Sequence, residues 1–391
     1  MHILVIPSAY PTLENPLSSI FYKEQAKAIQ EAGNKVGVIF SETRRVSGIN
    51  FNSFNKNHFQ IRKYIEDGLT TYRLHGWNIF TMRGTLGVDL WVKQSLKLFH
   101  KYIESEGKPD IIHVHSALYG GLVGMNIKKL YNIPYVITEH SSSVLKYELR
   151  KHDLPILKSV YDYADRIISV GEALKESINK HSKNYVEVIP NIVDIEKFNI
   201  NKNTIKENFN FISISHLKEN KNIDLTIRAL YKVIKVYNNV KLTIVGDGPE
   251  KQNLIDLVNK LGISENVEFV GAVSREELNK YINRSNAFVL PSKYETFGIV
   301  YIEALSCGIP IITTKCGGPE DFYNEDIGYM IESEDEDILK DVMIEMIENI
   351  NRFDPNTLRK YVESKFSKKV ISNKIIAVYK DILNKNGDNN E

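Results

Sequence analysis

Glu295 and Glu303 stand eight residues apart across a stretch that changes character midway. Ala287-Phe288-Val289-Leu290 is a short apolar run that reads as a buried strand, ended by Pro291 and Ser292. Residues 295–305 then read as a helix, closed by Gly308-Ile309-Pro310. On such a helix Glu303 shares a face with Ile299 and Thr296, four and seven residues back. A helix start offers N–H groups without partners and a partial positive charge, which suit phosphate or hydroxyl oxygens. A carboxylate on each side of those donors suits a ligand that is part anion and part polyol, and nucleotide-sugars are such ligands. Taken singly, either glutamate reads as a solvated charge; the surrounding sequence is what points to a site.

Other strand ends carry polar residues or glycines. The run 211–214 leads into Ser215-His216-Leu217 and then Lys221. Gly246-Asp247-Gly248-Pro249 follows the run 241–245; glycine lets backbone approach a ligand and proline suits a first helical turn, although a tight turn alone explains the same residues. Val270-Gly271 ends the next run, and Thr138-Glu139-His140 ends the run 134–138. His113 and His115 also end a strand and read as structural. The first strand runs into Pro7-Ser8-Ala9-Tyr10-Pro11, then Asn15-Pro16-Leu17-Ser18-Ser19 and a helix. Trp77 and Trp91, the only tryptophans, flank Asn78-Ile79-Phe80-Thr81-Met82-Arg83-Gly84; that stretch reads either as an acceptor or membrane contact or as a buried loop and helix start.

The elements that must position these residues alternate. Strands are expected at 3–6, 35–40, 111–115, 134–138, 166–170 and 186–189, with helices such as 19–32 and 119–131 between them, and a hairpin at 60–64 and 69–74. After a connection at 191–208, strands recur at 211–214, 241–245, 267–270, 287–290 and 311–314. Such alternation implies an α/β architecture: two doubly wound, Rossmann-like domains with parallel sheets covered on both faces. Ligands of that architecture bind outside the carboxyl ends of the strands, where every motif above falls.

A chain of 391 residues favours two domains, and 42% hydrophobic with 25% charged residues is a globular composition. No apolar run approaches the length of a membrane span, and the start of the chain lacks the pattern of a signal peptide. Cys307 and Cys316 are too few for a disulfide framework and have no metal-ligand spacing, so a reducing cytoplasm is the expected compartment. Residues 1–200 hold 25 Lys/Arg against 20 Asp/Glu, and nine of the ten histidines. That mild excess either faces an anionic acceptor or the inner membrane surface, as a peripheral contact, or is ordinary scatter. No basic stripe interleaved with aromatics indicates nucleic acid.

Pro291-Ser292-Lys293-Tyr294-Glu295-Thr296-Phe297-Gly298, Glu303-Ala304-Leu305, Gly308-Ile309-Pro310 and Gly317-Gly318-Pro319-Glu320 together closely resemble the signature of glycosyltransferase family 4, retaining enzymes of the GT-B fold. The resemblance implies an acceptor-side domain at 1–190, a nucleotide-sugar domain at 209–367, a cleft between them, and a last helix, 368–383, crossing back to the first. It implies that Glu295 meets donor-sugar hydroxyls beside Thr296 and the amides of Phe297 and Gly298, and that Glu303 takes the ribose hydroxyls. Lys221 would grip the donor diphosphate, with Gly246 and Val270 near the nucleotide. His216 stands where the family has arginine, Ser215 and Ser19 where it has glycine; Ser19 would lie near the donor phosphate. His140 matches the histidine beside the transferred sugar, in a reaction pictured as front-face attack with the leaving phosphate taking the acceptor proton.

The function so implied is retaining transfer from a UDP- or GDP-sugar to a hydroxyl of a glycan or lipid-linked acceptor, in cell-surface polysaccharide or glycoconjugate synthesis. No cofactor and no metal are expected, because no Asp-x-Asp motif sits at a strand end and Lys221, His216 and the helix start offer positive charge. Two readings compete: a low-activity nucleotide-sugar-binding partner subunit, favoured by His216 and Ser19, and a GT-B-like nucleotide-sugar epimerase.

Overall fold

Strands buried on both faces need apolar residues at every position, and that is how the central strands of this chain are written. The computed structural model describes residues 1–12, 19–45, 60–78, 80, 85–201, 208–332 and 334–388. The chain divides into two units, Met1–Ile192 with Lys368–Glu391, and Val193–Ser367. Among the described residues no helix is long and apolar enough to cross a membrane.

The first unit holds strands β1 (His2–Pro7), β2 (Lys35–Arg45), β3 (Gln60–Glu66), β4 (Leu69–Asn78), β5 (Ile111–His115), β6 (Tyr135–Glu139), β7 (Arg166–Ser169) and β8 (Val186–Val188). They form one sheet in the order β3-β4-β2-β1-β5-β6-β7-β8. All neighbours are parallel except β3 and β4, an antiparallel hairpin turning through Asp67 and Gly68, both with positive φ. An Asp-Gly pair is the expected chemistry for such a turn. The helix Lys368–Asp388 completes this unit's core: Ile371, Ile375, Tyr379 and Ile382 lie in one buried cluster with Ile3 and Val5 of β1 and Val36 and Val38 of β2. Each buried side chain of this size stabilises by about 1.5–3 kcal/mol.

The second unit holds β9 (Phe209–Ile214), β10 (Val240–Val245), β11 (Val267–Gly271), β12 (Ala287–Leu290), β13 (Ile311–Thr314) and β14 (Gly328–Ile331), all parallel, in the order β11-β10-β9-β12-β13-β14. The order reverses between β9 and β12, as it does between β1 and β5 in the first sheet. Those reversals open the crevices in which ligands of such sheets bind.

Two expectations shift, one open reading narrows, and one strand was not foreseen. Val193 and Phe198, expected within a connection at 191–208, are buried in the second unit, and Val193 N–H donates to the Phe366 carbonyl at 3.1 Å; residues 202–207 lie outside the described residues. The helix expected from Tyr119 starts at Leu122; Tyr119 (φ 68°, ψ −82°) belongs to a five-residue turn, Ala117–Gly121. Both tryptophans are buried, and Trp91 Nε1 donates to the Ser41 carbonyl at 3.0 Å. Strand β14 adds an edge to the second sheet that the apolar runs did not announce. Asn15-Pro16-Leu17-Ser18, Ile79 and Thr81-Met82-Arg83-Gly84 lie outside the described residues.

Ser19 precedes the helix Ile20–Glu31 with left-handed backbone, φ 50° and ψ 35°. A Cβ in that region costs about 1 kcal/mol that glycine avoids. Ser19→Gly is therefore expected to exceed Ser19→Ala in stability by about 1 kcal/mol in urea unfolding. Equal stabilities would mean that the turn does not hold this conformation.

Candidate functional site

In the second unit the loops after β9 and β12 are sewn together at the sheet's reversal. Lys293 N–H donates to the Asn220 carbonyl at 2.8 Å. Lys221 Nζ donates to Glu295 Oε1 at 2.6 Å, and Ser292 Oγ donates to the same oxygen at 2.9 Å. The backbone of Glu295 is pinned from a third loop: its N–H donates to the Cys316 carbonyl at 2.8 Å, and its carbonyl accepts from Gly318 N–H at 2.9 Å. Among the described residues no donor reaches Glu295 Oε2, nor do the amides of Thr296, Phe297 and Gly298 find a partner within the protein.

This pinning moves the helix start. The helix spans Ile299–Ser306, so Glu295 and Thr296 precede it and do not lie on its face with Ile299 and Glu303. Gly298 sits ahead of it at φ 88°, and a Cβ there would meet the Tyr301 ring at 2.6 Å. Phe297 is buried, its ring 5.7 Å from that of Phe322, so only its backbone can serve a ligand. The result is a row of open N–H groups beside a carboxylate, leading into a helix N-terminus.

Glu303 is 3% exposed and ion-paired with Arg275 of the helix Arg275–Asn283. Val270 falls where the pairing of β10 with β11 shifts, Ile244 opposite Phe269 but Val245 opposite Gly271. It is thus the unpaired residue of a bulge, with backbone groups outside the ladder. Gly246 has φ 136°, and a Cβ there would lie 1.8 Å from the Ser215 carbonyl oxygen; loop packing alone demands glycine. His216 is exposed, and its Nδ1 lies 2.5 Å from the Asp247 carbonyl oxygen. A carbonyl only accepts, so Nδ1 carries the proton and Nε2 of the neutral ring is an acceptor. Asp335-Glu336-Asp337, past β14, is spent on structure: Asp335 caps the helix Glu336–Glu348, and Glu336 and Asp337 pair with Lys232.

In the first unit His140 lies beyond β6, beside β5. Its Nε2 is 3.2 Å from His115 Nδ1, and its ring packs 5.1 Å from Phe21 and 4.9 Å from Tyr22, in the helix turn that Ser19 opens. His115 is stacked between Tyr22 and His113, at 4.4 and 4.6 Å. His113 is fully internal: Nδ1 meets Tyr379 Oη at 2.5 Å and Nε2 meets Thr138 Oγ1 at 2.6 Å. Burial, then the neighbouring His113, pushes His140 down to about 3, and burial alone does the same to His113. His115 is held well below its ordinary value by burial and both neighbours. The cluster is therefore three neutral imidazoles at neutral pH.

Glu139 is a positioning residue that motif reading passed over. Its carboxylate accepts from the N–H of Ala117 (2.9 Å), His140 (2.9 Å) and Ser141 (3.0 Å) and from Tyr161 Oη (2.8 Å). It fixes the backbone that carries His140. Its signal was a lone acidic residue ending an otherwise buried strand. Arg275 was missed as well, because an arginine 28 residues before Glu303 has no periodic relation to it.

A family model described as glycosyltransferase family 4 matches residues 19–197, and one described as glycosyl transferases group 1 matches residues 194–365. An uncharacterised glycosyltransferase of Methanocaldococcus jannaschii is 30% identical over 257 residues, 65% of this chain and 69% of that one. Two others from that organism are each 31% identical, over 58% and 54% of this chain, which spans only 61% and 59% of their length. A sucrose-phosphate synthase from Thermosynechococcus elongatus aligns with a TM-score of 0.78 at 20% identity, covering 98% of this chain and 100% of that one. Anabaena HepE in complex with UDP aligns at 0.74 and 17%, covering 97% and 100%. The fold is GT-B, and the chain belongs to glycosyltransferase family 4.

The histidine cluster makes the first unit acid-sensitive. Folded values near 3 lie below the ordinary 6.5, so an unfolded chain takes up protons that the folded one refuses. Stability is complete above about pH 6.5 and falls as the pH drops towards 3; at pH 5 each such histidine costs about 2 kcal/mol. His113→Gln cannot protonate, and is expected to lose about 2 kcal/mol less than the wild type between pH 7 and pH 5 in urea unfolding. Equal losses would place the titration elsewhere.

Proposed function

We propose that this protein is a retaining glycosyltransferase that moves a sugar from a UDP- or GDP-sugar to a hydroxyl of a glycan or lipid-linked acceptor without a divalent metal, in the synthesis of cell-surface polysaccharide or glycoconjugate. One observation carries the reading: the open amides of Thr296, Phe297 and Gly298 lie between two oriented carboxylates, with Lys221 on the first. Such a row suits sugar hydroxyls at Glu295, phosphate oxygens near Lys221 and the helix start, and ribose hydroxyls at Glu303. The bulge at Val270 offers backbone groups of the kind that read a base edge. HepE, similar in fold, has been solved with UDP and with UDP-glucose, which supports a nucleotide-sugar donor.

In this mechanism the bond between the sugar's anomeric carbon and the diphosphate oxygen breaks. The acceptor oxygen bonds to the same face of that carbon, and its proton passes to the leaving phosphate oxygen. Lys221, the open amides and His216 offset the charge that builds on the diphosphate. Being neutral, His140 acts by hydrogen bonding and orients the sugar; it supplies no full charge. Ser19, in its left-handed turn, offers a hydroxyl to the donor phosphate.

A panel of nucleotide-sugars screened by thermal shift identifies the donor, since a ligand that binds the folded state raises the melting temperature. Transfer from that donor is then expected to survive exhaustive EDTA treatment and to keep the anomeric configuration. Glu303→Gln is expected to weaken nucleoside diphosphate and donor together by roughly ten- to a hundred-fold. Inversion of configuration, or activity restored only by magnesium or manganese, refutes the corresponding part of the reading.

His216 gives a sharper test. With Nδ1 committed to the Asp247 carbonyl, Nε2 donates to a phosphate only when the ring is protonated. His216→Arg, which donates in every state, is expected to bind the diphosphate at least as tightly as the wild type. His216→Ala is expected to weaken the diphosphate and spare the nucleoside. Wild type and His216→Ala binding the diphosphate alike in calorimetry would take His216 away from the phosphate.

A further inference from the structure

Arg275 lies outside every motif that marked the site, yet it ion-pairs with Glu303. It is the first residue of its helix, fixed by a reciprocal cap in which Glu277 N–H donates to Ser274 Oγ at 3.2 Å and Ser274 N–H donates to Glu277 Oε2 at 3.1 Å. From there the side chain runs inward and ion-pairs with Glu303; the two side chains are 12% and 4% exposed. The guanidinium also lies over the Phe198 ring, 5.1 Å from its centre. Phe198 is itself anchored: its carbonyl accepts from Ser306 Oγ at 2.8 Å, on the helix that carries Glu303, and from Arg359 at 2.7 Å.

A carboxylate this deeply buried stays ionised and in one orientation only beside a cation. An ionised carboxylate accepts at about four lone-pair positions, more than a single guanidinium fork fills. Arginine suits the task because its planar fork meets a carboxylate in a defined direction while its face rests on an aromatic ring.

We propose that Arg275 is a positioning residue for ribose recognition: it holds Glu303 charged and aimed so that the carboxylate accepts from the ribose hydroxyls of the bound nucleotide. The proposal rests on the reading of Glu303 as the ribose residue. It makes discrimination between ribo- and deoxyribonucleotides a property of the pair, set jointly by the signature helix and by the first residue of the helix after β11.

The test is calorimetry of the full chain with UDP, GDP and their 2′-deoxy counterparts, on wild type, Glu303→Gln, Arg275→Ala and Arg275→Lys, each checked for folding by thermal melting. Wild type is expected to prefer the ribonucleotide by roughly ten-fold or more, and Arg275→Ala to lose most of that preference. Arg275→Lys keeps the charge without the fork and is expected to retain an intermediate preference. If the alanine variant does not fold, Arg275→Gln takes its place with the same expectation. A folded Arg275→Ala that keeps the wild-type preference overturns the proposal, and one that binds the ribonucleotide more tightly overturns it by making Arg275 a competitor for Glu303. If Glu303→Gln alone keeps the full preference, the ribose reading itself fails, whatever Arg275 does.

Discussion

Two buried or half-buried carboxylates, each held by a cation from another segment, are the constraint around which the second unit is arranged. An unpaired charge in such a place costs several kcal/mol. Glu295 therefore requires Lys221, and that requirement draws the loop after β9 against the turn after β12. Glu303 requires Arg275, which sets the direction in which the helix after β11 starts. The third loop, through Cys316 and Gly318, holds the Glu295 backbone out of the helix and leaves three amides open. A site for a charged, hydroxylated ligand is thus what remains when the loops have satisfied the carboxylates.

The first unit reaches its site by other means. Its candidate residues are not charged pairs but neutral imidazoles stacked among aromatic rings, with a buried glutamate beneath them whose carboxylate is occupied by N–H and O–H donors. Hydrogen bonding without net charge suits hydroxyl groups better than phosphates. The same acceptor-rich glutamate, and the latch in which Ser8 Oγ lies 2.7 Å from the carbonyl oxygens of both His115 and Leu118, hold a turn whose backbone at Ser116 and Tyr119 has positive φ. Non-glycine residues keep such conformations only where their surroundings over-determine them.

Much of this was legible in the sequence. Apolar runs gave most of the strands within a residue or two, since a strand buried on both faces has no other way to be written, but β2 runs on to Arg45, five residues past its expected end. The hairpin was marked by Asp67-Gly68, and Glu295 and Glu303 by the residues around them. The start of the helix at Ile299 was not legible: it depends on hydrogen bonds to Cys316 and Gly318, some twenty residues on, and on the left-handed backbone of Gly298. The turn Ala117–Gly121 was hidden for a similar reason, its cause being Ser8 at the far end of β1. Strand β14 is four residues beginning with glycine at a sheet edge, too short and too mixed to stand out. Arg275 and Glu139 were missed because a counter-ion or a backbone clamp is defined by what folding brings near it, not by an interval along the chain.

The helix Lys368–Asp388 carries a consequence for how the protein is made. The first unit's core contains Ile371, Ile375, Tyr379 and Ile382 together with Ile3 and Val5, so its two halves are separated by the whole of the second unit in order of synthesis. A ribosome delivers residues 193–367 between the two halves of that core. Until residues 368–388 follow, β1 and β2 keep an apolar face uncovered.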